Sequence, residues 1–452
     1  MNEIEKQVLQ RVTPSTDYQN RLKVIIKNLD EKLKQEIKDR KLPVEIELVG
    51  STAKDTYLKD NLDIDFFLLF PIKYPKKEIA KNALSIGKKL LKNTEKSYAE
   101  HPYLRGYYKE YLVEIVPCYK IEKASQKLSA VDRTPLHTKY IKENMPESQK
   151  SEVLLFKQFL KGIGCYGAEA EIEGFSGYLC EILILKLKTF KKLIKNSTGW
   201  EKGKKLSLTE GDFPDFDTPL IFIDPVDPER NVASAVSDEK FDLFIKACTE
   251  YLKKPNITFF FPNKTKPWPL DKIKSKIKQQ ECQYVGIKFI KPEIIDENLY
   301  PQVRKAARSI WDACERNDFT VYDTTFHIED KEKIIYIIVK TKDEKLSETV
   351  EHMGPPVKLK QNTDDFLKKW KEDSRVIKKP YEKNKRVYVE IKRDFTDIKQ
   401  FLKAKIKDLS MGKHIDKIVK KKYTIIDKEN LFKANLAIFW TEHLDKKMTW
   451  ER

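Results

Sequence analysis

The sequence predicts an α+β protein of several domains, and three observations lead to that prediction. Its 452 residues are too many for one ordinary hydrophobic core, so about two to four domains are expected. Residues 45–70 alternate strand-like and helix-like patterns, as a mixed sheet covered by helices would. Beyond residue 256 strand patterns return, after four prolines that mark a domain boundary: Pro255, Pro262, Pro267 and Pro269.

The first strand patterns follow an N-terminal helical region. In residues 1–40 apolar side chains recur at helical spacing, which predicts helices that cover one face of a sheet. Residues 45–49 form the first strand pattern, and the turn at Gly50 and Ser51 opens a short helical segment. Residues 62–70 form the second strand, whose apolar run predicts burial on both faces.

The second strand carries two acids near its start. Asp63 and Asp65 are two residues apart, so both carboxylates project from one face. Such carboxylates repel each other, and a bound cation is the usual remedy; Mg²⁺ often combines one or two carboxylates with substrate phosphates. Gly50 lets backbone N–H groups approach a ligand, and Ser51 adds a hydroxyl at a helix N-terminus. The pattern therefore predicts a magnesium and phosphate site, although Asp-x-Asp alone is more often a pair of ordinary exposed acids.

A third acid lies in a later strand pattern. In residues 107–116, Leu112, Glu114 and Val116 share one face, so Glu114 is an acid within an apolar strand. By itself it would be an ordinary half-buried acid. Beside the Asp-x-Asp motif it predicts the third carboxylate of a two-metal phosphoryl-transfer site.

The rest of the chain changes from helices to a second α+β region. Three helical patterns predict a helical second domain: 151–161, 177–187 and 241–252. Strand patterns at 284–289 and 334–339 flank a helix within 302–316, which predicts a ferredoxin-like α+β region. Residues 387–391 add a strand, and residues 397–430 are predicted to be helical.

An excess of basic residues indicates a polyanionic partner. The chain has 88 Lys and Arg against 70 Asp and Glu, a formal net charge of +18, and nucleic acid is the first candidate. Five lysines within 397–430 are predicted to bind an RNA backbone: Lys413, Lys417, Lys420, Lys421 and Lys422. A lysine-rich surface that contacts only solvent is the alternative.

Cysteine usage and hydropathy limit the compartment. The six cysteines are scattered without a C-x-x-C pair, which indicates neither a zinc site nor a disulfide framework. The N-terminus lacks the charged-then-apolar pattern of a secretory leader, and no run of 18 apolar residues occurs. We therefore expect a cytoplasmic protein with no membrane partner.

Motifs along the whole chain resemble a known family. Gly50-Ser51, followed after eleven residues by Asp63-x-Asp65, resembles the signature of the nucleotidyltransferase superfamily, which includes polymerase-beta-like enzymes and poly(A) polymerases. Further motifs resemble, in order, the archaeal (class I) CCA-adding enzymes: Val113–Lys120, Ala130–His137, Tyr166–Glu169, Gly174–Glu181, Asp224–Ala233, Lys291–Pro292, Asn298–Pro301 and Met353–Pro355.

The resemblance implies four domains. These are a nucleotidyltransferase head with a mixed sheet and helices (1–140), a helical nucleotide-binding neck (141–256), a ferredoxin-like α+β body (257–395) and a helical basic tail with a role in tRNA binding (396–452).

The resemblance also implies roles for single residues. Asp63, Asp65 and Glu114 fall where the family places the carboxylates that hold two Mg²⁺ ions. The family often has Glu-x-Asp in place of Asp63-x-Asp65 and Asp in place of Glu114. Both differences keep the negative charge and change the length of the side chain by one methylene. The positions that match nucleotide contacts are Ser51, Lys54, His137, Lys157, Tyr166 and, for the incoming base, Arg230.

Without the resemblance, several of these residues would be interpreted differently. Lys157 would be a solvated surface lysine, and His137 would be structural. Tyr166 follows a glycine-containing turn and is predicted to lie on a tight loop. Arg230 is predicted to pair with Asp224 or Asp227, which would fix its guanidinium group.

The implied function is addition of C, C and A to the 3′ end of tRNA, with CTP and ATP as substrates. The implied partner is tRNA, held through its 3′ end and its acceptor/T-arm, and the sequence leaves a homodimer open. Two alternatives remain: an enzyme that adds only A, such as a poly(A) polymerase or oligoadenylate-type synthetase, and a basic RNA-binding protein whose head has lost catalysis.

Overall fold

The computed structural model describes residues 1–60, 62–98 and 102–452. Its internal contacts divide the chain into two compact units. The first unit comprises Met1–Lys264 and Lys447–Arg452, and the second comprises Thr265–Lys446. Each unit has its own sheets and cores and is described by itself.

The first unit contains nine helices and eight strands within the described ranges. The helices are α1 (Glu3–Val12), α2 (Thr16–Asp39), α3 (Gly50–Lys54), α4 (Lys76–Leu90), α5 (Thr134–Asn144), α6 (Glu147–Gly162), α7 (Gly177–Leu187), α8 (Phe190–Ser197) and α9 (Asp238–Lys253). The strands are β1 (Glu45–Val49), β2 (Asp63–Phe70), β3 (Lys92–Tyr98), β4 (Pro102–Tyr108), β5 (Tyr111–Tyr119), β6 (Lys204–Leu206), β7 (Leu220–Asp224) and β8 (Asp227–Asn231).

A five-stranded mixed sheet carries the three predicted carboxylates. Its order is β1-β2-β5-β4-β3, and the central pair β2–β5 is parallel. Ile64, Phe66 and Leu68 point from β2 into the core beneath α2 and α4, while Phe67 and Leu69 join a smaller core on the opposite face. The predicted burial of β2 on both faces is therefore confirmed.

A second core in the same unit is built mainly from helices. It joins buried side chains of α1 and of α6 to α9. Helix α7 is apolar on nearly all sides, and its residues 179–185 are all buried. The three predicted helices of this region are confirmed as α6, α7 and α9, and the small sheet β6-β7-β8 completes it.

The second unit contains seven helices and seven strands. The helices are α10 (Leu270–Lys278), α11 (Asp296–Glu315), α12 (Lys360–Trp370), α13 (Ile398–Lys405), α14 (Lys413–Lys421), α15 (Lys428–Leu431) and α16 (Ala437–Asp445). The strands are β9 (Gln283–Ile290), β10 (Val321–Glu329), β11 (Ile334–Thr341), β12 (Thr349–Pro356), β13 (Val376–Lys383), β14 (Arg386–Lys392) and β15 (Thr424–Ile426).

The larger sheet of this unit has the order β10-β11-β9-β15, and every neighbouring pair is antiparallel. With α11 after β9 and helices α13 and α14 before β15, the chain follows the β-α-β-β-α-β sequence of a ferredoxin-like sheet. A smaller sheet, β12-β14-β13, packs with α12 and is inserted between β11 and α13.

The predicted boundary at residue 396 does not coincide with a boundary in the structure. Strand β15 completes the larger sheet by pairing with β9, so that Ile426 lies opposite Gly286. Buried side chains of α13 and α14 belong to the same core as β9 and β11. Residues 396–446 are thus part of the second unit, and residues 447–452 group with the first. The prediction that 397–430 is helical throughout is also wrong, because β15 interrupts it.

Two further features concern the whole described chain. All six cysteines are buried free thiols. In the ranges 1–60, 62–98 and 102–452, no helix combines the length and the apolar character needed to cross a bilayer.

Candidate active site

The sheet register brings the three carboxylates to one place. Asp65 on β2 lies directly opposite Glu114 on the parallel neighbour β5, and Asp63 is two positions earlier on the same face. Asp65 is also opposite Val49, the last residue of β1. The chain turns there at Gly50, whose φ is +73°, and a Cβ at this position would lie 2.1 Å from Asp65 Oδ2. Glycine is therefore required at position 50 for two reasons: the backbone has a positive φ, and the Asp65 carboxylate leaves no room for a Cβ.

The carboxylates destabilise one another's charge. Burial, followed by the charges of Glu114 and Asp63, raises the pKa of Asp65 to about 7. Burial and the neighbouring Asp63 also raise the pKa of Glu114, although Arg105 opposes this shift. A local excess of negative charge on oxygen ligands is the condition in which a hard divalent cation binds.

Arg105 places a positive charge beside two of these acids, Asp63 and Glu114. It lies on β4 directly opposite Glu114, with its Nε 3.2 Å from Glu114 Oε1 and an NH2 nitrogen 3.7 Å from Asp63 Oδ2. Among the described residues, no three His, Cys, Asp or Glu side chains are arranged to hold a metal ion as they stand. The oxygen-only donor set and the raised pKa of Asp65 fit a divalent ion.

A cavity of about 400 Å³ adjoins Asp63 and Asp65. Seven of the nine predicted metal-binding and nucleotide-binding residues line it: Ser51, Lys54, Asp63, Asp65, His137, Lys157 and Tyr166. Glu114 and Arg230 do not line the cavity. Glu114 lies opposite the lining residue Asp65 in the sheet, and Arg230 donates to Asp224, which is also bonded to the lining residue His137. The N-terminal turn of α7, with Gly177 and Tyr178, forms another wall.

Two lysines share one buried carboxylate at this cavity. Lys54 Nζ lies 2.5 Å from Glu181 Oε2, and Lys157 Nζ lies 3.5 Å from Glu181 Oε1. Lys157 also donates to the Thr56 carbonyl oxygen at 2.8 Å, and the Thr56 hydroxyl donates to Glu181 at 2.6 Å. Lys157 is 1% exposed, so it is not a solvated surface lysine.

The balance of charge in this group is positive. Burial opposes ionisation of Glu181, but the two ammonium groups and the hydrogen bonds hold its pKa below the ordinary value. Burial lowers the pKa of Lys54, and Glu181 counteracts that shift. One carboxylate facing two lysines leaves a cationic excess at the cavity, which suits an anion such as a triphosphate.

A second polar cluster centres on Asp224. His137 Nε2 lies 2.8 Å from Asp224 Oδ2, Arg230 donates to the same oxygen at 2.9 Å, and the Tyr178 hydroxyl donates to Oδ1 at 3.2 Å. The His137 and Tyr178 rings stack with centroids 4.0 Å apart. Although Asp224 is buried, its bond to His137 and the charges of His137 and Arg230 lower its pKa to about 2.

This cluster decides between the two predicted partners of Arg230. The pairing with Asp224 is confirmed. Asp227 instead accepts from Lys127 at 2.7 Å and from Arg133 at 2.9 Å. Asp224 therefore anchors the guanidinium group of Arg230, which is the fixed geometry that planar recognition needs.

Sequence reasoning missed three residues of the site. Arg105 has no signal of its own, because its position opposite Glu114 depends on the strand register. Tyr178 lies in the motif Gly174–Glu181, but the sequence predicts no role for it. Glu181 could have been found, since it is the only acid in the apolar helix Gly177–Leu187 and must be paired if the helix is buried.

The sheet, the paired acids and the adjoining cationic cavity define the class of protein as a nucleotidyltransferase, and residues 30–137 match the family described as "Nucleotidyltransferase domain". Residues 151–261 match "tRNA nucleotidyltransferase, second domain", and residues 282–428 match "CCA-adding enzyme, C-terminal domain". The chain belongs to the family of CCA-adding enzymes. Nucleotidyltransferases generally use divalent metal ions.

Relatives named "CCA-adding enzyme" align over most of their own length. The relative from Picrophilus torridus is 36% identical over 413 residues, 91% of this chain and 93% of its own. The one from Methanosarcina barkeri is 32% identical over 429 residues, 94% of each chain. The one from Archaeoglobus fulgidus is 34% identical over 394 residues, 87% of this chain and 88% of its own.

Proposed function

We propose that this chain adds C, C and A to the 3′ end of tRNA from CTP and ATP, without a nucleic-acid template. The observation that carries the proposal is the register of β2 and β5, which sets Asp65 opposite Glu114 beside a cavity lined by two buried lysines. The names and full-length alignment of the relatives support tRNA as the substrate over a substrate for poly(A) addition. The retained acids and lysines favour an enzyme over an inactive RNA binder.

The reaction is an in-line displacement at the α-phosphorus. The terminal 3′-hydroxyl of tRNA forms the new P–O bond, the bond to the β-phosphate breaks, pyrophosphate leaves and the hydroxyl proton passes to solvent. Asp63, Asp65 and Glu114 would hold two Mg²⁺ ions, which when bound would activate the hydroxyl and neutralise the leaving pyrophosphate. Ser51 and Gly50 orient the triphosphate at the start of α3.

The buried lysines bind the triphosphate. Lys54 and Lys157 provide two positive charges that Glu181 balances only in part, so the phosphate completes the local charge. Glu181 orients both ammonium groups before the nucleotide arrives, and Tyr166 lines the same cavity. These contacts contribute position and electrostatic stabilisation.

Arg230 selects the base. Its guanidinium group is held on Asp224, which His137 and Tyr178 also contact. A fixed planar donor can distinguish the hydrogen-bonding edges of C and A from those of G and U. We assign catalysis to residues 1–140 and nucleotide binding to residues 141–256.

The second unit binds the tRNA acceptor/T-arm. The side chains of Lys413, Lys417, Lys420, Lys421 and Lys422 are all exposed. Ile415 and Val419 bury the opposite side of α14, so the helix presents Lys413, Lys417, Lys420 and Lys421 away from the core. An array of ammonium groups suits contact with phosphates and the shape of double-helical RNA.

The decisive experiment supplies tRNA lacking its terminal trinucleotide with each labelled NTP in turn. Incorporation from CTP, then from ATP once two C residues are present, supports the proposal. Label from ATP alone would indicate an A-adding enzyme. No incorporation by a folded protein that binds tRNA would indicate an inactive binder.

Asp65→Ala is the matched inactive control for this assay. We expect it to abolish incorporation and to leave tRNA affinity within about twofold, because Asp65 faces the reacting atoms and not the bulk of the RNA. Turnover by this variant would remove Asp65 from the site.

A further inference from the structure

A second polar cavity lies within the second unit and has no role in the function proposed above. It has a volume of about 300 Å³ and lies among the end of α11, the end of α12 and the sheet β12-β14-β13. Five cationic side chains line it: Arg316, Lys369, Arg375, Lys392 and Arg393. Two carboxylates, those of Asp318 and Asp394, also line it. The cavity is therefore cationic.

Two buried donors at this cavity lack an acceptor. Trp370 is 3% exposed, and its Nε1 has no hydrogen-bond partner; the same is true of Arg393 Nε. Other buried tryptophans of the chain use the indole N–H: Trp440 donates to the Leu431 carbonyl oxygen at 2.8 Å and Trp450 to Glu250 at 2.7 Å. Because buried donors are nearly always satisfied, the two donors indicate an acceptor that binds here.

The carboxylates of the cavity are already used by arginines. Arg375 NH1 donates to Asp394 at 3.0 Å, while its Nε and NH2 donate to Asp373 at 3.0 and 2.8 Å. Arg393 pairs with Asp318. These ion pairs fix the guanidinium groups, and neither carboxylate accepts from the Trp370 indole.

The lysines of the cavity are not neutralised in this way. Lys369 and Lys392 are both exposed, and neither has a carboxylate partner in the described part of the chain. Lys369 Nζ lies 5.1 Å from the Trp370 ring centroid, and the guanidinium carbon of Arg375 lies 5.4 Å from it. Positive charge therefore surrounds an unused buried N–H, and what is missing is a negatively charged acceptor.

We infer that this cavity is a binding site for a phosphate-type oxyanion, in which Trp370 Nε1 and Arg393 Nε donate hydrogen bonds and Lys369 and Lys392 balance the charge. The anion is either a phosphodiester of a nucleic acid or a free phosphate. The inference does not depend on the proposed function, since it concerns a cavity in the unit that lacks the catalytic carboxylates.

The test uses the full-length protein with ¹⁵N-labelled tryptophan, whose six indole N–H signals are followed by NMR. Trp370→Phe assigns the signal of Trp370. Inorganic phosphate is titrated at constant ionic strength, with chloride as the replacement anion. We expect a saturable downfield shift of the Trp370 signal, because its N–H gains an acceptor, while the other five signals remain in place and report an intact fold.

Charge variants distinguish a site from general attraction. Lys369→Gln should weaken phosphate binding by about two- to fivefold, the effect of a solvent-exposed charge pair. Lys368→Gln is the matched control, since Lys368 is the adjacent exposed lysine of α12 and does not line the cavity. Equal weakening by both variants would overturn the inference.

A second titration identifies the source of the anion. A tRNA lacking its terminal trinucleotide is added to the phosphate-loaded protein and to the phosphate-free protein. If RNA produces the same shift and displaces phosphate, the site takes a backbone phosphate; if phosphate alone produces the shift, the site takes the free anion. Both results support an oxyanion site, and a Trp370 signal that moves with neither ligand overturns it.

Discussion

At the scale of single residues, Glu181 explains how two lysines remain buried beside the active-site carboxylates. Its carboxylate contacts Lys54 directly and Lys157 at a longer distance, and a threonine hydroxyl satisfies it further. An unpaired buried ammonium group would lose its proton or unfold the site. Glu181 therefore makes the cationic wall of the cavity possible.

Removal of this carboxylate should be costly. Glu181→Gln keeps the shape but leaves two buried ammonium groups without a counter-charge, so we expect it to destabilise the first unit by about 3–5 kcal/mol. Thermal unfolding monitored by circular dichroism measures the effect. Glu239→Gln, an exposed acid in the first turn of α9, is the control. Equal melting temperatures for the two variants would mean that Glu181 carries little of the charge balance.

Arg105 should compete with divalent cations. Its guanidinium group contacts Glu114 and approaches Asp63, two of the acids proposed to hold the metal ions, so it would compete with a cation for the same carboxylates. Arg105→Gln removes the competitor, so we expect tighter Mn²⁺ binding in the absence of nucleotide, by about threefold or more.

Calorimetric titration of Mn²⁺ measures this change without any need for turnover. Lys92→Gln is the control, because it removes an exposed positive charge from the neighbouring strand β3 and so changes the net charge equally. Weaker Mn²⁺ binding by Arg105→Gln would show that the arginine supports the metal site instead of competing with it.

At the scale of secondary-structure elements, the turn between β1 and α3 determines where Asp65 can lie. Gly50→Ala places a Cβ against the Asp65 carboxylate in a backbone conformation that disfavours alanine, so we expect at least a hundredfold loss of nucleotide incorporation. The assay is single-turnover incorporation from CTP.

Gly164→Ala is the control for this prediction. Gly164 has the same φ of +73°, but a Cβ there would meet nothing within 4 Å. The control therefore includes the conformational strain and omits the collision with Asp65. Similar losses in the two variants would assign the effect of Gly50→Ala to strain alone.

The elements also show which features could be predicted from the sequence. Strand β2 is eight residues long, begins with two acids on one face and is otherwise apolar, so both its extent and its burial could be predicted. Strand β15 has only three residues, which are too few to show a periodic pattern of apolar side chains. Its pairing with β9 is what identifies it as a strand. Residues 396–446 therefore group with the sheet that β15 completes.

Contacts between site residues that are far apart in the sequence could not be predicted from it. Lys54 and Glu181 are 127 residues apart, and the choice of Asp224 over Asp227 by Arg230 depends on the turn between β7 and β8. Family resemblance identified seven of the residues that line the cavity. It did not reveal the partners that hold those residues in place, because such partners are defined by packing.

At the scale of the whole molecule, the net charge of +18 is distributed among sites with different tasks. The buried lysines Lys54 and Lys157 are partly balanced by Glu181. The five lysines of the segment 413–422 are exposed, and none forms an ion pair within the described residues. Unpaired exposed lysines are available to neutralise phosphates, whereas lysines in ion pairs are already neutralised by their carboxylate partners.

The salt dependence of tRNA binding separates a phosphate footprint from a merely solvated face. If Lys420, Lys421 and Lys422 each contact a phosphate, changing all three to Gln should reduce the slope of log K against log salt by about 2 to 3, because each contact contributes about 0.7–0.9 through counterion release. Fluorescence anisotropy with labelled tRNA at several salt concentrations gives the slope. Lys274, Lys276 and Lys278 on α10 are an equally exposed triplet of the same unit, and their replacement by Gln controls for loss of net charge alone. A slope that changes equally for both triplets would mean that the protein attracts tRNA through its total charge, and that α14 has no particular part in holding it.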